Sequence, residues 1–247
     1  MDSVVKYVLN KSKLEVTLIR ITDATPDSFI MSIESRVTDT GPISSTMLPM
    51  VVDMTFNGGC FGKLQLPEVK TASGGVPVNI YDQHIKILDM ACFKAFVKSL
   101  MHDEHLILKL DNGQCTIKTL GMSSNVIYRK EIHLKGMRGP PVEIRKATET
   151  FNTMAVRNLS PLEIDHGVSS FHIQDGAGNT VAELRGPLEI KRGEFEVTMT
   201  IKRTGRKPCG NEGTLVGAGT DNDAWTSETL VYINTPVKLT EEFVACC

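Results

Sequence analysis

Alternation of apolar and polar residues at a period of two is the feature any fold of this chain must satisfy. In SFIMSIESRVTDT, Phe29, Met31, Ile33 and Val37 alternate with Ser32, Glu34, Arg36 and Thr38, which puts the apolar set on one face of a strand. EFEVTMTIKR repeats the pattern with Phe195, Val197, Met199 and Ile201. HLILKLDNGQCTIKTL reads as two strands joined at Asp111, Asn112 and Gly113, residue types that tolerate the positive φ of a tight hairpin. A second hairpin tip is expected at QDGAGNT, residues 174–180. Short strands punctuated by turn residues predict an all-β sandwich architecture. One segment departs from it. In DMACFKAFVKSLMHDEH, Phe93, Phe96, Val97 and Leu100 fall three or four apart and Asp89 stands where a cap belongs, so an amphipathic helix is expected over 89–102, covering an end of a sheet.

The chain also matches itself. Val37 and Val156 are 119 residues apart, as are Pro42 in VTDTGPIS and Pro161 in VRNLSPLE; Pro67 and Pro187 are 120 apart. Between these marks each copy has an apolar strand, a glycine-rich turn (NGGCFG, QDGAGN) and another strand, as expected of a structural block used twice. LKGMRGPPVEI, with Gly136, Gly139, Pro140 and Pro141, resists helix and sheet alike and marks a boundary. The expectation is two immunoglobulin- or fibronectin-like β-sandwich domains in tandem, 1–138 and 139–247, the helix belonging to the first.

A formal net charge of −2 over 247 residues leaves no basic surplus for nucleic acid. The acidic second residue and the lack of a long apolar run argue for a soluble, cytosolic chain without a stable membrane anchor. Cys60, Cys92, Cys115 and Cys209 then read as reduced, buried small apolar residues, and the terminal Cys246 and Cys247 as an unmodified tail rather than a prenylation signal. Asn10 and Asn158 stand in glycosylation sequons that read as chance matches.

The stretches TPDSFIMSIESRVTDTGPISSTMLPMVVDMTFNGGCFGKLQLPEV, ILDMACFKAFVKSLMHDEHLILKLDNG and IKTLGM together resemble the fungal DUF3712 family. NLSPLEIDHGVSSFHIQDGAGNTVAEL is similar to a late-embryogenesis-abundant (LEA14-like) repeat. The resemblance covers residues 14–135 well and the second half more loosely. It implies immunoglobulin-like or fibronectin-like sandwiches, in agreement with the strand pattern, and supplies no catalytic residues by position.

Catalytic signatures are missing: G-x-S-x-G, P-loop, H-E-x-x-H and C-x-x-C do not occur. His102, Asp103, Glu104 and His105 straddle a helix end and read as solvated rather than metal-ligating, and Lys202, Arg203, Arg206 and Lys207 read as a solvated loop rather than an anion site. GAGTDNDAWTSET is different, a long polar loop with the only tryptophan, leading into LVYIN, which reads as a strand apolar on both faces. Trp225 there is either interface packing or the wall of a ligand pocket at a domain seam or sandwich end. With it, Tyr232 and His166 are the candidate binding residues, and Asp223 and His172 the candidate groups to orient or polarise a carbonyl. The functional expectation is a cyclase without cofactor or metal, of the [4+2] Diels-Alder type, acting on a hydrophobic intermediate of fungal natural-product biosynthesis. Such catalysis needs pre-organisation in an apolar pocket rather than a nucleophile. The alternatives are a non-catalytic protein that binds a lipophilic ligand and a stress-protective or interaction protein.

Overall fold

The structure is a computed structural model that describes residues 12–41, 43–71 and 74–246. It divides into two compact units. The first contains the described residues up to Ile21, then Asp27–Phe96 and His105–Leu134; the second contains Thr22–Pro26, Val97–Glu104 and Lys135 onward.

The strands of the first unit are β1 (Lys13–Thr22), β2 (Ser28–Thr38), β3 (Ser45–Met47), β4 (Met50–Phe56), β5 (Gly59–Leu66), β6 (Val69–Lys70), β7 (Val76–Pro77), β8 (Ile80–Lys86), β9 (His105–Thr119) and β10 (Met122–Lys135), with helix α1 (Met90–His102) between β8 and β9. In one sheet β2 lies between β1 and β8, with β7 also on β2; in the other β4 lies between β5 and β9, β10 pairs with β9, and β3 and β6 extend it. The alternation seen in the sequence is the burial pattern: Phe29 and Met31 of β2 and Val52, Met54 and Phe56 of β4 are buried. The first half of α1 closes one end of this sandwich, as expected. Asp89 accepts the Cys92 N–H at 3.0 Å as the cap, and Phe93 and Phe96 lie between Phe29, Phe56 and Phe61 with ring centroids 5.1–5.7 Å apart.

In the second unit, β12 (Phe151–Asn158) lies between β11 (Val142–Ala147) and β15 (Gly193–Arg203), and β13 (Leu162–Asp175) lies between β14 (Thr180–Ile190) and β16 (Glu212–Thr220), which pairs with β17 (Asn234–Lys238). Helices α2 (Trp225–Leu230) and α3 (Glu241–Ala245) complete it. A short pairing of β14 with β15, from Ala182↔Arg203 to Arg185↔Thr200, makes a corner between the two sheets. The order of pairings repeats that of the first unit, with β12 in the place of β2, β13 of β4, and the hairpin β16–β17 of β9–β10. The block is used twice.

Its turn chemistry is not. After β2, Asp39 (φ 57°) and Gly41 (φ 76°) take left-handed conformations, whereas after β12 the turn is built by a side chain. Asn158 Oδ1 accepts the Ser160 N–H and hydroxyl at 2.9 and 2.7 Å, and Nδ2 donates to the carbonyls of Leu162 and Lys191 at 2.7 and 3.1 Å. That Nδ2 is the atom a glycan would need, and the residue is buried. Asn158→Ala removes all four bonds from the buried turn, and urea unfolding is expected to show a loss of about 1–3 kcal/mol. Pro161 lies in this turn; its counterpart Pro42, like Asn10 and Cys247, lies outside the described residues.

Both glycine-rich turns reverse the chain where expected, NGGCFG through Asn57 and Gly58 at φ 48° and 86°, QDGAGNT around Asp175 and Gly178. DNG does not. β9 runs through it as one strand: Asn112 takes φ 59° but forms a bulge, shifting the inward set from Leu106, Leu108 and Leu110 to Gly113, Cys115 and Ile117. Gly113 is small for packing, since a Cβ there would stand 2.8 Å from Val52 Cγ1 and 2.9 Å from Met50 Sδ. The chain reverses instead at Leu120 and Gly121, φ 49° and 76°. Of the four cysteines expected in the interior, Cys115 is buried, Cys60 and Cys92 are half-buried and Cys209 is exposed in the turn before β16.

Candidate ligand-binding site

Among the described residues, the end of the first sandwich opposite α1 is open. Around it stand the N-terminal residues of β1, the chain after β2, β3, β6, the end of β9 and the start of β10, and they enclose a cavity of about 370 Å³, within the range of small-molecule sites. Its walls are mainly apolar, with Leu14, Val37, Met47, Val69, Ile117 and Met122 prominent, while Ile43 and Leu120 stand exposed among its lining. Most wall residues come from a strand's inward register or from a loop at this end, and among the described residues no helix seals it as α1 seals the other.

The polar groups in the lining divide into two kinds. Ser45 and Thr71 are satisfied by each other, with hydroxyls 2.9 Å apart, and the Thr119 hydroxyl donates to the Ser44 carbonyl at 3.3 Å. Tyr128 and Lys130 differ. Both occupy the inward register of β10, which runs Ser124, Val126, Tyr128, Lys130, Ile132, Leu134. The Tyr128 hydroxyl makes no hydrogen bond among the described residues, and burial, with a smaller contribution from Cys115, pushes its pKa up, so it stays a protonated donor. Lys130 is half-buried; its ammonium donates to the Ser12 carbonyl and, at 3.2 Å, to the Ser12 hydroxyl, and desolvation pulls its pKa down. Lys13 also lines the cavity and pairs with Asp39 at 3.1 Å.

The residues singled out from sequence lie in the second unit, and the structure does not gather them around a cavity. Trp225 is 1% exposed and begins a helix rather than sitting in a polar loop, its N–H donating to the Thr25 carbonyl at 3.2 Å. LVYIN is not a doubly buried strand: Leu230 ends α2, Val231 and Tyr232 form a turn, and Asn234 starts β17. Tyr232 is half-buried with the Lys98 ammonium 5.9 Å from its ring centre, and Asp223 is exposed. His166 is fully buried, whereas His172, beyond the bulge at Gly167, points to the other face of β13 beside Glu183, Arg185 and Lys202 in an open polar cleft. Arg203, expected in a solvated loop, lies 4.4 Å over the Phe243 ring and donates to the carbonyls of Phe243 and Thr148.

In IYRKEIHLK, Tyr128 and Lys130 carry no motif, because a Tyr and a Lys two apart read as ordinary strand residues. The available signal was the lysine itself, which occupies an inward position in a strand whose next inward residues are Ile132 and Leu134.

Residues 60–173 match the family model described as a protein of unknown function, DUF3712. Among solved structures, the chain is similar to a protein assigned to the late-embryogenesis-abundant (LEA) class, with 16% identity over 56% of this chain and 87% of that one and a TM-score of 0.27. It is also similar to red sea bream transglutaminase, with 13% identity and a TM-score of 0.29, spanning 94% of this chain and 31% of that one. Escherichia coli alpha-2-macroglobulin gives 10% identity and a TM-score of 0.24 over 92% of this chain and 22% of that one. No curated protein matches the sequence. No helix among the described residues is long and apolar enough to cross a membrane.

Proposed function

We propose that the protein binds an apolar small molecule in the open end of its first sandwich. The observation that carries this reading is an apolar cavity of about 370 Å³ at the end of the sandwich away from α1. A sandwich that served only as a scaffold gains by filling such a space, because unfilled volume in a core costs packing energy. Titration calorimetry with methyl dodecanoate tests it. Saturable binding is expected, and Leu14→Trp, which fills the cavity from β1, should weaken it at least tenfold with the circular dichroism spectrum unchanged. Absence of binding to the parent protein, or undiminished binding to the variant, overturns the reading.

The Tyr128 hydroxyl supports a second reading, the [4+2] cyclase. A donor without a hydrogen-bond partner among the described residues, on the wall of an apolar cavity, can polarise a bound carbonyl, while the walls hold a flexible polyene near its reactive fold. With a polyene that carries an activated alkene, the protein is expected to change both rate and isomer ratio, and Tyr128→Phe to cost about 10²-fold in rate. If rate and isomer ratio equal those of the spontaneous reaction, the cyclase reading fails and binding alone remains.

A further inference from the structure

Among the described residues, six hydroxyl side chains line the apolar cavity, and five of them have partners. Ser45 and Thr71 satisfy each other, Thr119 donates to the Ser44 carbonyl, Ser12 holds the Lys130 ammonium, and Thr40 is partnered as well. The two lysines of the lining are also engaged, Lys13 with Asp39 and Lys130 with Ser12. Tyr128 is the exception. Its side chain is 5% exposed, and its hydroxyl makes no hydrogen bond among the described residues. A buried phenol ordinarily finds an acceptor, because an unpaired O–H bears the whole of its desolvation. The strand holds it in place. Tyr128 occupies the inward register of β10 over Gly113 of β9, where an added Cβ would stand 3.0 Å from the Tyr128 Cβ.

The second sandwich uses the same block without such a group. Val156, the counterpart of Val37, lines a space there of only about 30 Å³, and every side chain in that lining is apolar. Phe195 stands opposite Val156 in the register of β12 and β15, whereas Val76 stands opposite Val37 in the first sandwich. The block can therefore pack this region with an aromatic ring and dispense with hydroxyls. Where the first copy keeps a cavity, it also keeps a donor. A hydrocarbon ligand has no use for one. A carbonyl oxygen taken out of water into an apolar wall does, since only a hydrogen bond offsets the hydration it gives up.

We propose that the ligand of this site is a neutral apolar ketone or ester whose carbonyl oxygen accepts a hydrogen bond from the Tyr128 hydroxyl inside the cavity. This rests on the binding reading above and adds to it the class of the ligand, whether or not a reaction follows. Apolar burial supplies the affinity, and Tyr128 supplies the orientation and the selection for a carbonyl.

Calorimetric titration of the full chain with butyrophenone and with butylbenzene, which differ chiefly in the carbonyl, tests this on the parent protein and on Tyr128→Phe. The substitution is expected to weaken butyrophenone about tenfold and to leave butylbenzene within about twofold. The infrared carbonyl stretch of bound butyrophenone should lie below its position in hexane in the parent and return to that position in the variant. Since the hydroxyl has no partner in the fold, the ligand-free variant should be at least as stable to urea as the parent. If the two compounds respond alike to the substitution, or if the stretch of the bound ketone equals that in hexane, the carbonyl assignment is overturned while binding in the cavity stands. If neither compound binds, the assignment falls, and the titration with methyl dodecanoate decides separately whether the cavity binds at all. Should Tyr128→Phe not fold, the infrared measurement on the parent protein decides alone.

Discussion

Replacing Trp225 with alanine is expected to lower the free energy of unfolding by about 3–5 kcal/mol, the largest loss from any single truncation considered for this chain. The ring is 1% exposed, and the next residue, Thr226, and the residues one turn on, Thr229 and Leu230, are also fully buried, so the removed volume has no solvent to open into. The helix that carries it is fixed against β16 by backbone contact. A Cβ at Gly217 would stand 2.1 Å from the Leu230 carbonyl oxygen, and the Gly217 N–H donates to the Ile233 carbonyl at 2.9 Å. α2 therefore cannot move in to fill a void, which places the loss toward the upper part of the range. Urea unfolding followed by far-ultraviolet circular dichroism measures it, since the variant has no tryptophan emission. Trp225→Phe should cost less than half as much. A loss below about 1 kcal/mol for the alanine variant would mean that the indole is not part of the core.

The same residues show what the sequence could and could not tell. Strand alternation makes β2 and β15 legible because one buried and one exposed face write their pattern directly into residue types. α2 was hidden because two of its four buried positions are threonine, Thr226 and Thr229, which look polar in sequence and carry no visible helical period. The glycines before it looked like a loop, whereas Gly217 is small so that a backbone carbonyl can approach β16. Asn112 met the demand for positive φ but in a bulge, and the true turn begins at Leu120, a residue type that no turn preference would select. The ligand site was illegible for a different reason. Its walls are ordinary inward residues of six segments, Leu14, Val37, Met47, Val69, Ile117 and Met122, and nothing in their residue types separates a cavity wall from a core. A rare residue, the lone tryptophan, drew attention to the second unit, where rarity reflects packing.

Acid is expected to destabilise the protein between about pH 6.5 and pH 4, and the cause is His166. The side chain is fully buried on the inward face of β13, neither ring nitrogen has a well-formed hydrogen bond among the described residues, and burial holds its pKa down to about 4, with the Ile164 backbone and the Asp165 carboxylate opposing. The unfolded chain has a histidine that takes up a proton near pH 6.5, while the folded chain refuses it until about pH 4. In that interval the unfolded state binds more protons, so stability rises with pH across it and is level above. The difference of roughly 2.5 pH units corresponds to a loss on the order of 3 kcal/mol between pH 7.5 and pH 4. Asp175 and Asp53 act in a lower range: hydrogen bonds, from the Asn179 backbone first in one case and from the Asn112 side chain first in the other, depress their pKa values, and the stability they contribute is present above the ordinary carboxylate value and lost below it. Their titration therefore does not obscure the histidine's. Urea unfolding of the parent and of His166→Leu at half-unit steps from pH 7.5 to pH 4 separates the two. The parent should lose stability steadily below pH 6.5, and the leucine variant, with no proton to take up and no unsatisfied ring nitrogen to bury, should hold its pH 7.5 value down to about pH 4.5. Parallel decline of the two curves would assign the acid sensitivity to other groups and show that His166 is hydrogen-bonded and protonated normally in the folded protein.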